Sequence, residues 1–185
     1  MRALEGTVVL DLTHILSGPF STMVLADMGA RVIKIEPPGR GEATRHLLAG
    51  STDFSRDGFG AYFLTLCRNK ESVAIDLKQM AGRSLFYQLV GHADIVVSNF
   101  GAGVMGRLEI NYAKLSEINP RIVTCTISGF GETGPNCDRP AFDLVAQAMG
   151  GGMSLTGYAE SEPLRAGVPI GDLAAGLFAS IGILS

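Results

Sequence analysis

Hydrophobic positions along this 185-residue chain switch repeatedly between two spacings. Short runs rich in β-branched residues predict strands over residues 7–12 (TVVLDL), 31–36 (RVIKIE), 72–77, 94–98 (DIVVS) and 121–127. Apolar residues three and four apart predict helices over 20–28, 61–66, 79–90, 112–118 and 142–149. In the first, Met23, Val24 and Met28 share a face and Gly29 closes the turn. The second is expected to be short and buried, and in the third Leu85, Phe86 and Leu89 are expected inward. Asn111 is placed to cap the fourth. Strand, helix and strand within some thirty residues make a βαβ unit with parallel strands. Its continuation predicts an α/β chain: a Rossmann-like open, mostly parallel sheet with flanking helices. Ligands in such sheets bind beyond the carboxyl ends of the strands. The loops to watch are therefore 13–19, 37–45, 99–107 and 128–140, while 46–59 reads as irregular.

The last stretch, RAGVPIGDLAAGLFASIGILS over residues 165–185, passes from a Gly/Pro loop into an apolar helix. One carboxylate, Asp172, stands at the junction. A helix-start aspartate accepts hydrogen bonds from free backbone N–H groups and sits in the positive end of the helix dipole. Both effects favour its ionised form. Leu173, Leu177 and Ile181 fall on one face, with Gly176, Ala179 and Ser180 beside them to admit another backbone. Two readings are open: an N-cap on a buried helix, or a carboxylate held ready as a nucleophile. The pattern is still apolar at Ile183 and Leu184, without a Gly cap or basic last turn. The expectation is an N-terminal piece of a longer protein, with a sheet core over 1–150 and the loop and helix start over 151–185.

Composition narrows the function classes. A net charge of −3 argues against nucleic-acid binding, and no apolar run is long enough to span a membrane. MRALEGTVVLDL enters a strand without a signal-peptide core. Cys67, Cys125 and Cys137 are scattered and form no Cys-x-x-Cys pair, so neither a disulfide framework nor a zinc site is expected. A reducing cytoplasm fits.

A nicotinamide enzyme would suit a βαβ start ending in Glu36, but the first turn, THILSGPF, has one Gly and lacks Gly-x-Gly-x-x-Gly. Glu36 then reads as a solvated strand end. No Gly-x-Ser-x-Gly elbow is present, and His14, His46 and His92 form no metal-spaced cluster. Phosphate binding is better supported. Arg40, Arg45, Lys78, Arg107 and Arg139 fall in or beside the loops at the strand ends, where several together could clamp a polyphosphate. The loops NFGAG and GFGETG would add backbone N–H groups.

Seven colinear blocks then carry a resemblance: VLDLTHILSGPF, LADMGARVIKIEPPGRGEATR, NKESVAIDLK, ADIVVSNFGAGVMGRL, NPRIVTCTISGFGETGP, RPAFDLVAQAMGGGMSLTG and GVPIGDLAAGLFASIGIL. Together they resemble the class III CoA-transferases (CaiB/BaiF), a family about twice this length with a second, smaller domain. The resemblance implies that Asp172 is the catalytic aspartate, attacking an acyl-CoA to form a mixed anhydride and then an aspartyl-CoA thioester. It implies a small carboxylic acid as acceptor, coenzyme A as substrate with no permanent cofactor or metal, and an interlocked homodimer. Lys78 and Arg107 would neutralise CoA phosphates, while Ile75, Asp76 and Leu77 with Asn99 and Phe100 would line the adenosine end. Three departures stand out. Leu16 replaces a Gln of some members, Pro37 replaces a phosphate-binding Arg for which Arg40 could substitute, and the Gly-rich loop that covers the aspartate lies downstream of this chain. The related α-methylacyl-CoA racemases carry a His where this chain has Phe142, so Asp143 is expected as a first-turn cap or supporting group. A racemase-like enzyme, a non-catalytic CoA-binding module and a nicotinamide enzyme remain open, and the isolated chain is expected to be inactive.

Overall fold

The computed structural model describes residues 2–185. Its elements, in order, are β1 (Val8–Asp11), α1 (Ser17–Asp27), β2 (Arg31–Glu36), β3 (Ser55–Arg56), β4 (Phe59–Gly60), α2 (Ala61–Leu66), β5 (Lys70–Ala74), α3 (Met80–Val90), β6 (Ile95–Ser98), α4 (Val104–Arg107), α5 (Tyr112–Ile118), β7 (Val123–Thr126), α6 (Asp143–Met149) and α7 (Ile170–Leu184). Five strands form one sheet in the order β5-β2-β1-β6-β7, every pair parallel. The strand order reverses between β1 and β6, and their carboxyl ends open the crevice where such sheets take ligands. β3 and β4 make a separate antiparallel hairpin inside the stretch expected to be irregular.

Period two divides the core. Leu10 and Leu12 of the β1 strand and its exit, with Ile33, Ile35 and Val96, face Phe86 and Val90 of α3 and Leu115 of α5. Val9, Val32, Ile95 and Val97 point the other way, against Leu25 and Ala26 of α1. Near-continuous apolar strands follow from helices covering both faces. Among the described residues, no helix is long and apolar enough to cross a membrane.

Several elements differ from their sequence expectation. α1 starts at Ser17 because Pro19 fits a first turn, whose N–H groups have no intrahelical partner anyway. Gly18 is required there, since a Cβ would lie 2.4 Å from the Thr13 side chain. β5 covers Lys70–Ala74 rather than 72–77, pairing Val32 with Lys70 through to Glu36 with Ala74. The Ile75 N–H then closes on the Glu36 carbonyl at 2.9 Å, which turns residues 75–78 into a loop over the strand ends. The buried stripe of α3 is Gly82, Phe86 and Val90, so Leu85 is exposed. α2 buries only Leu66. α7 buries Gly176 and Ser180 against α1, where a Cβ on Gly176 would stand 2.6 Å from the Ser17 carbonyl and the Ser21 and Ser180 hydroxyls meet at 3.0 Å. Its Leu177, Phe178 and Ile181 face outward, so the helix is buried along one stripe only.

Polar groups hold the strand ends together. The Asp11 carboxylate is fully buried and accepts from the Thr13 N–H (2.8 Å), the Thr22 hydroxyl (2.8 Å) and Lys70 Nζ (3.0 Å). Lys34 Nζ lies 3.8 Å away and donates to the Thr13 carbonyl at 2.6 Å. Burial alone would raise the Asp11 pKa, but Lys34 and Lys70, helped by the Thr13 and Thr22 hydrogen bonds, hold it down to about 2. Glu36, expected to be solvated, is also buried. It pairs two-pronged with Arg45 at 2.6 Å on each oxygen and accepts from the Ser72 hydroxyl (2.6 Å) and the Glu42 N–H (2.8 Å). These partners overcome the effect of burial and bring its pKa to about 2.

Replacing Asp11 by Asn leaves two buried lysines without a counter-charge, and the expected loss in urea unfolding at pH 7 is roughly 3–5 kcal/mol. In the unmodified chain the depressed pKa contributes about 2 kcal/mol at neutral pH. That contribution is complete above the ordinary value of 3.8 and disappears as pH falls towards 2. The stability gap between the two proteins in acid-titrated unfolding should therefore narrow by about 2 kcal/mol over that window.

Candidate active site

Two adjoining cavities open at the carboxyl ends of the strands. The larger, about 630 Å³, lies over β1, β2 and β5 and is lined by Arg40, Glu42, His46, the loop Ile75, Asp76, Leu77 and Lys78, and Phe100. The smaller, about 400 Å³, lies over β6 and β7 and reaches α7, with Asn99, Phe100, Arg139, Phe142 and Asp172 on its wall. His14 and Phe100 line both, their rings 5.6 Å apart. Asn99 locks this partition: it accepts from the His14 N–H at 2.9 Å and donates to the His14 carbonyl at 2.8 Å. The two hydrogen bonds tie the β1 exit to the β6 exit, at the strand reversal.

Most residues singled out from the sequence converge here. Arg40, Ile75, Asp76, Leu77, Lys78, Asn99 and Phe100 line one or both cavities. Neither Arg40 nor Lys78 enters an ion pair among the described residues. Asp76 does something else besides, accepting the Lys78 N–H at 3.0 Å and so shaping its loop. Arg107 is not brought in. It ends the one-turn α4, exposed, over the Ala102 carbonyl, and lines neither cavity. Arg45 is withdrawn from the phosphate candidates by its pairing with Glu36 and by stacking on Phe63, 4.1 Å from the ring centre.

Asp172 stands in the first turn of α7, one residue beyond Gly171, and does not cap the helix. The cap is Asp143, at the start of α6 and buried. Its Oδ1 accepts the N–H groups of Gly171 (2.9 Å) and Asp172 (3.4 Å), and its Oδ2 accepts from Gln147 Nε2 (2.7 Å). Gln147 Oε1 in turn accepts the Ala166 N–H at 2.8 Å, which holds the loop leading into α7. The N–H groups expected to stabilise the Asp172 anion are thus used by a second carboxylate. Burial, and then the charge of Asp143, push the Asp172 pKa above its ordinary value, reversing the sequence expectation.

Tyr62, which the sequence reading did not single out, lines neither cavity but feels the charge of Asp172. It packs against the buried cluster of Leu16, Met23 and Leu66, and its pKa is raised by burial, then by the charges of Asp172, Glu42 and Asp143. Nothing in its local pattern distinguishes it from a core aromatic. His14 is pushed below its ordinary pKa chiefly by burial, with Glu42 opposing. Among the described residues, no group of three or more His, Cys, Asp and Glu could hold a metal ion.

The family model described as CoA-transferase family III matches residues 4–185. The chain is 45% identical over 182 residues to the acetyl-CoA:oxalate CoA-transferase of Acetobacter aceti, covering 98% of this chain and 46% of that protein. It is 40% identical over 185 residues to the succinyl-CoA:glutarate CoA-transferase of Mus musculus, covering all of this chain and 42% of the relative. A solved CAIB/BAIF family protein from Brucella suis superposes with a TM-score of 0.92 at 39% identity, covering 99% of this chain and 48% of that one. The chain thus spans about half the length of the curated relatives it matches.

Because Asp143 is the nearby negative charge, Asp143→Asn should lower the Asp172 pKa, while the amide oxygen still caps α7. Carbon-detected NMR titration of the aspartate carboxyls is the check. An Asp172 midpoint that does not move downward would show that the two carboxylates are not coupled.

Proposed function

Since the chain belongs to CoA-transferase family III, we propose that its two cavities together receive an acyl-CoA and that Asp172 is the nucleophile that exchanges the acyl group. The observation that carries this reading is the placement of Asp172. The carboxylate is half-buried on the wall of one cavity, and that cavity shares His14 and Phe100 with a second whose lining includes Arg40 and Lys78, cations with no ion pair among the described residues. A ligand with an anionic nucleotide end and a reactive far end fits that polarity.

The nucleotide end of CoA lies in the larger cavity, with Lys78 and Arg40 beside its phosphates and Ile75, Leu77 and Phe100 against the adenosine. Its acyl thioester passes His14 and Phe100 to Asp172. An Asp172 oxygen attacks the thioester carbon, the carbon–sulfur bond breaks, and CoA leaves as its thiolate. The thiolate then attacks the aspartyl carbonyl of the anhydride, which releases the donor acid and leaves an aspartyl-CoA thioester. The acceptor carboxylate attacks that thioester, its carbon–sulfur bond breaks to release CoA again as the thiolate, and a second anhydride forms. The thiolate takes the acceptor acyl group and restores the Asp172 carboxylate. Partial desolvation strengthens the carboxylate as a nucleophile, and a site closed to water protects the anhydride.

The two named transferases act on oxalate and glutarate, both dicarboxylic acids. Arg139 lines the Asp172 cavity and is free of ion pairs among the described residues. The acceptor class is therefore a small dicarboxylate whose second carboxylate meets Arg139. The interlocked homodimer is supported by exposed apolar side chains at Leu155, Tyr158, Phe178 and Ile181. The CoA-transferase reading is favoured over a racemase because Phe142 carries no proton where that chemistry needs an acid or base.

Asp172→Ala should abolish acyl exchange in the complete native protein while CoA still binds. Hydroxylamine quenching of the unmodified protein with acyl-CoA should place a hydroxamate on Asp172 by mass spectrometry; solvent deuterium entering the α-carbon without acyl exchange would favour the racemase instead. Arg139→Gln should raise KM for a dicarboxylate acceptor by about tenfold, equivalent to roughly 1.4 kcal/mol, and barely change KM for a monocarboxylate of similar size.

A further inference from the structure

Ile15 lies in the partition between the two cavities, on the wall of the Asp172 side beside Leu16. Its φ is +67°, in the left-handed region that a β-branched residue strongly disfavours. Such a conformation persists only where the surroundings impose it. Asn99 already holds the preceding His14 carbonyl, and a second contact comes from outside the loop: Glu42 Oε1 accepts the Ile15 N–H at 3.0 Å. The other oxygen of Glu42 accepts the Thr44 N–H at 2.9 Å and the Thr44 hydroxyl. Glu42 is 5% exposed, and it sits with Arg40, Ala43 and His46 on the loop that walls the larger cavity. One carboxylate therefore joins a loop of the nucleotide cavity to a strained residue of the reaction cavity.

We propose that Glu42 is a positioning residue for the reaction cavity: it holds Ile15 in the left-handed conformation and so fixes the Ile15–Leu16 wall facing Asp172. The inference rests on the CoA-transferase reading for its effect on turnover, but the link between Glu42 and the Ile15 backbone stands apart from it.

The test uses rescue. Glycine adopts positive φ without penalty, so Ile15→Gly removes the need for an imposing partner. In the complete native protein, Glu42→Ala should lower kcat at least tenfold in the Ile15 background. In the Ile15→Gly background the same substitution should lower kcat less than threefold. A residue that merely binds CoA or supports its own loop would cost the same factor in both backgrounds, and that equality would overturn the proposal. Melting temperatures of the four proteins give a second reading: the drop caused by Glu42→Ala should be smaller in the Ile15→Gly background. Where Glu42→Ala does not fold alone, folding restored by Ile15→Gly supports the link, and failure of the double variant to fold counts against it. Absence of acyl transfer in the unmodified protein would defeat the functional reading and leave the melting comparison to decide the link.

Discussion

A single buried carboxylate, Asp11, governs how the strand ends meet. It closes β1, the central strand, and draws Lys34 from β2, Lys70 from β5, Thr22 from α1 and the N–H of Thr13 from the turn that follows. Removing a charge from water costs several kcal/mol, and only a full set of partners offsets it. All five segments must therefore reach their places together. The consequence for the site is direct: residues 12–17 form the partition between the cavities, and the turn can leave the strand only as Asp11 and Lys34 allow.

At the far wall two further carboxylates divide a task. Asp143 spends both oxygens on hydrogen bonds and fixes the head of α7 and the loop before it. Asp172 accepts none from within the described residues, and its side chain faces the smaller cavity with its proton affinity increased. If Asp172 had to cap its own helix, its oxygens would be turned back on the backbone and their electron density shared with N–H groups. The cap supplied from α6 leaves them facing the cavity.

The parallel sheet was legible because strands covered on both faces need near-continuous apolar runs, and β1, β2 and β6 have them. The loops at the strand ends follow from that topology, and Asn99 and Phe100 fall in one of them; Lys78 lies beside them, and Asp172 stood out by its helix-start position and by the family resemblance. What stayed hidden depends on partners far along the chain. Glu36 looks like any strand-end glutamate until Arg45 and Ser72 arrive. β5 begins at Lys70, two residues before the start predicted from its apolar run, because Asp11 pulls that lysine into the sheet. Arg107 misses both cavities because α4 is a single turn with its last residue pointing to solvent, which its basic charge and neighbouring glycines did not disclose. The cap on α7 comes from a residue 29 positions earlier, beyond any local helix-start rule.

The partition also limits what can cross it. Asn99 clamps the backbone of His14 on both sides, so neither the β1 exit nor the β6 exit can shift alone. Burial lowers the His14 pKa, with Glu42 opposing, which favours an uncharged ring on the partition between the two cavities. On the proposed reading, the phosphates are then drawn to Lys78 and Arg40 at one end, while the uncharged arm of CoA passes the His14 and Phe100 rings to reach Asp172. A cationic partition would compete for the phosphates and would also lower the proton affinity that burial and Asp143 give the nucleophile. On that reading, the distance between the cations of one cavity and a half-buried carboxylate on the far wall of the other lets one crevice hold a polyanion and still present a carboxylate that has no ion pair among the described residues.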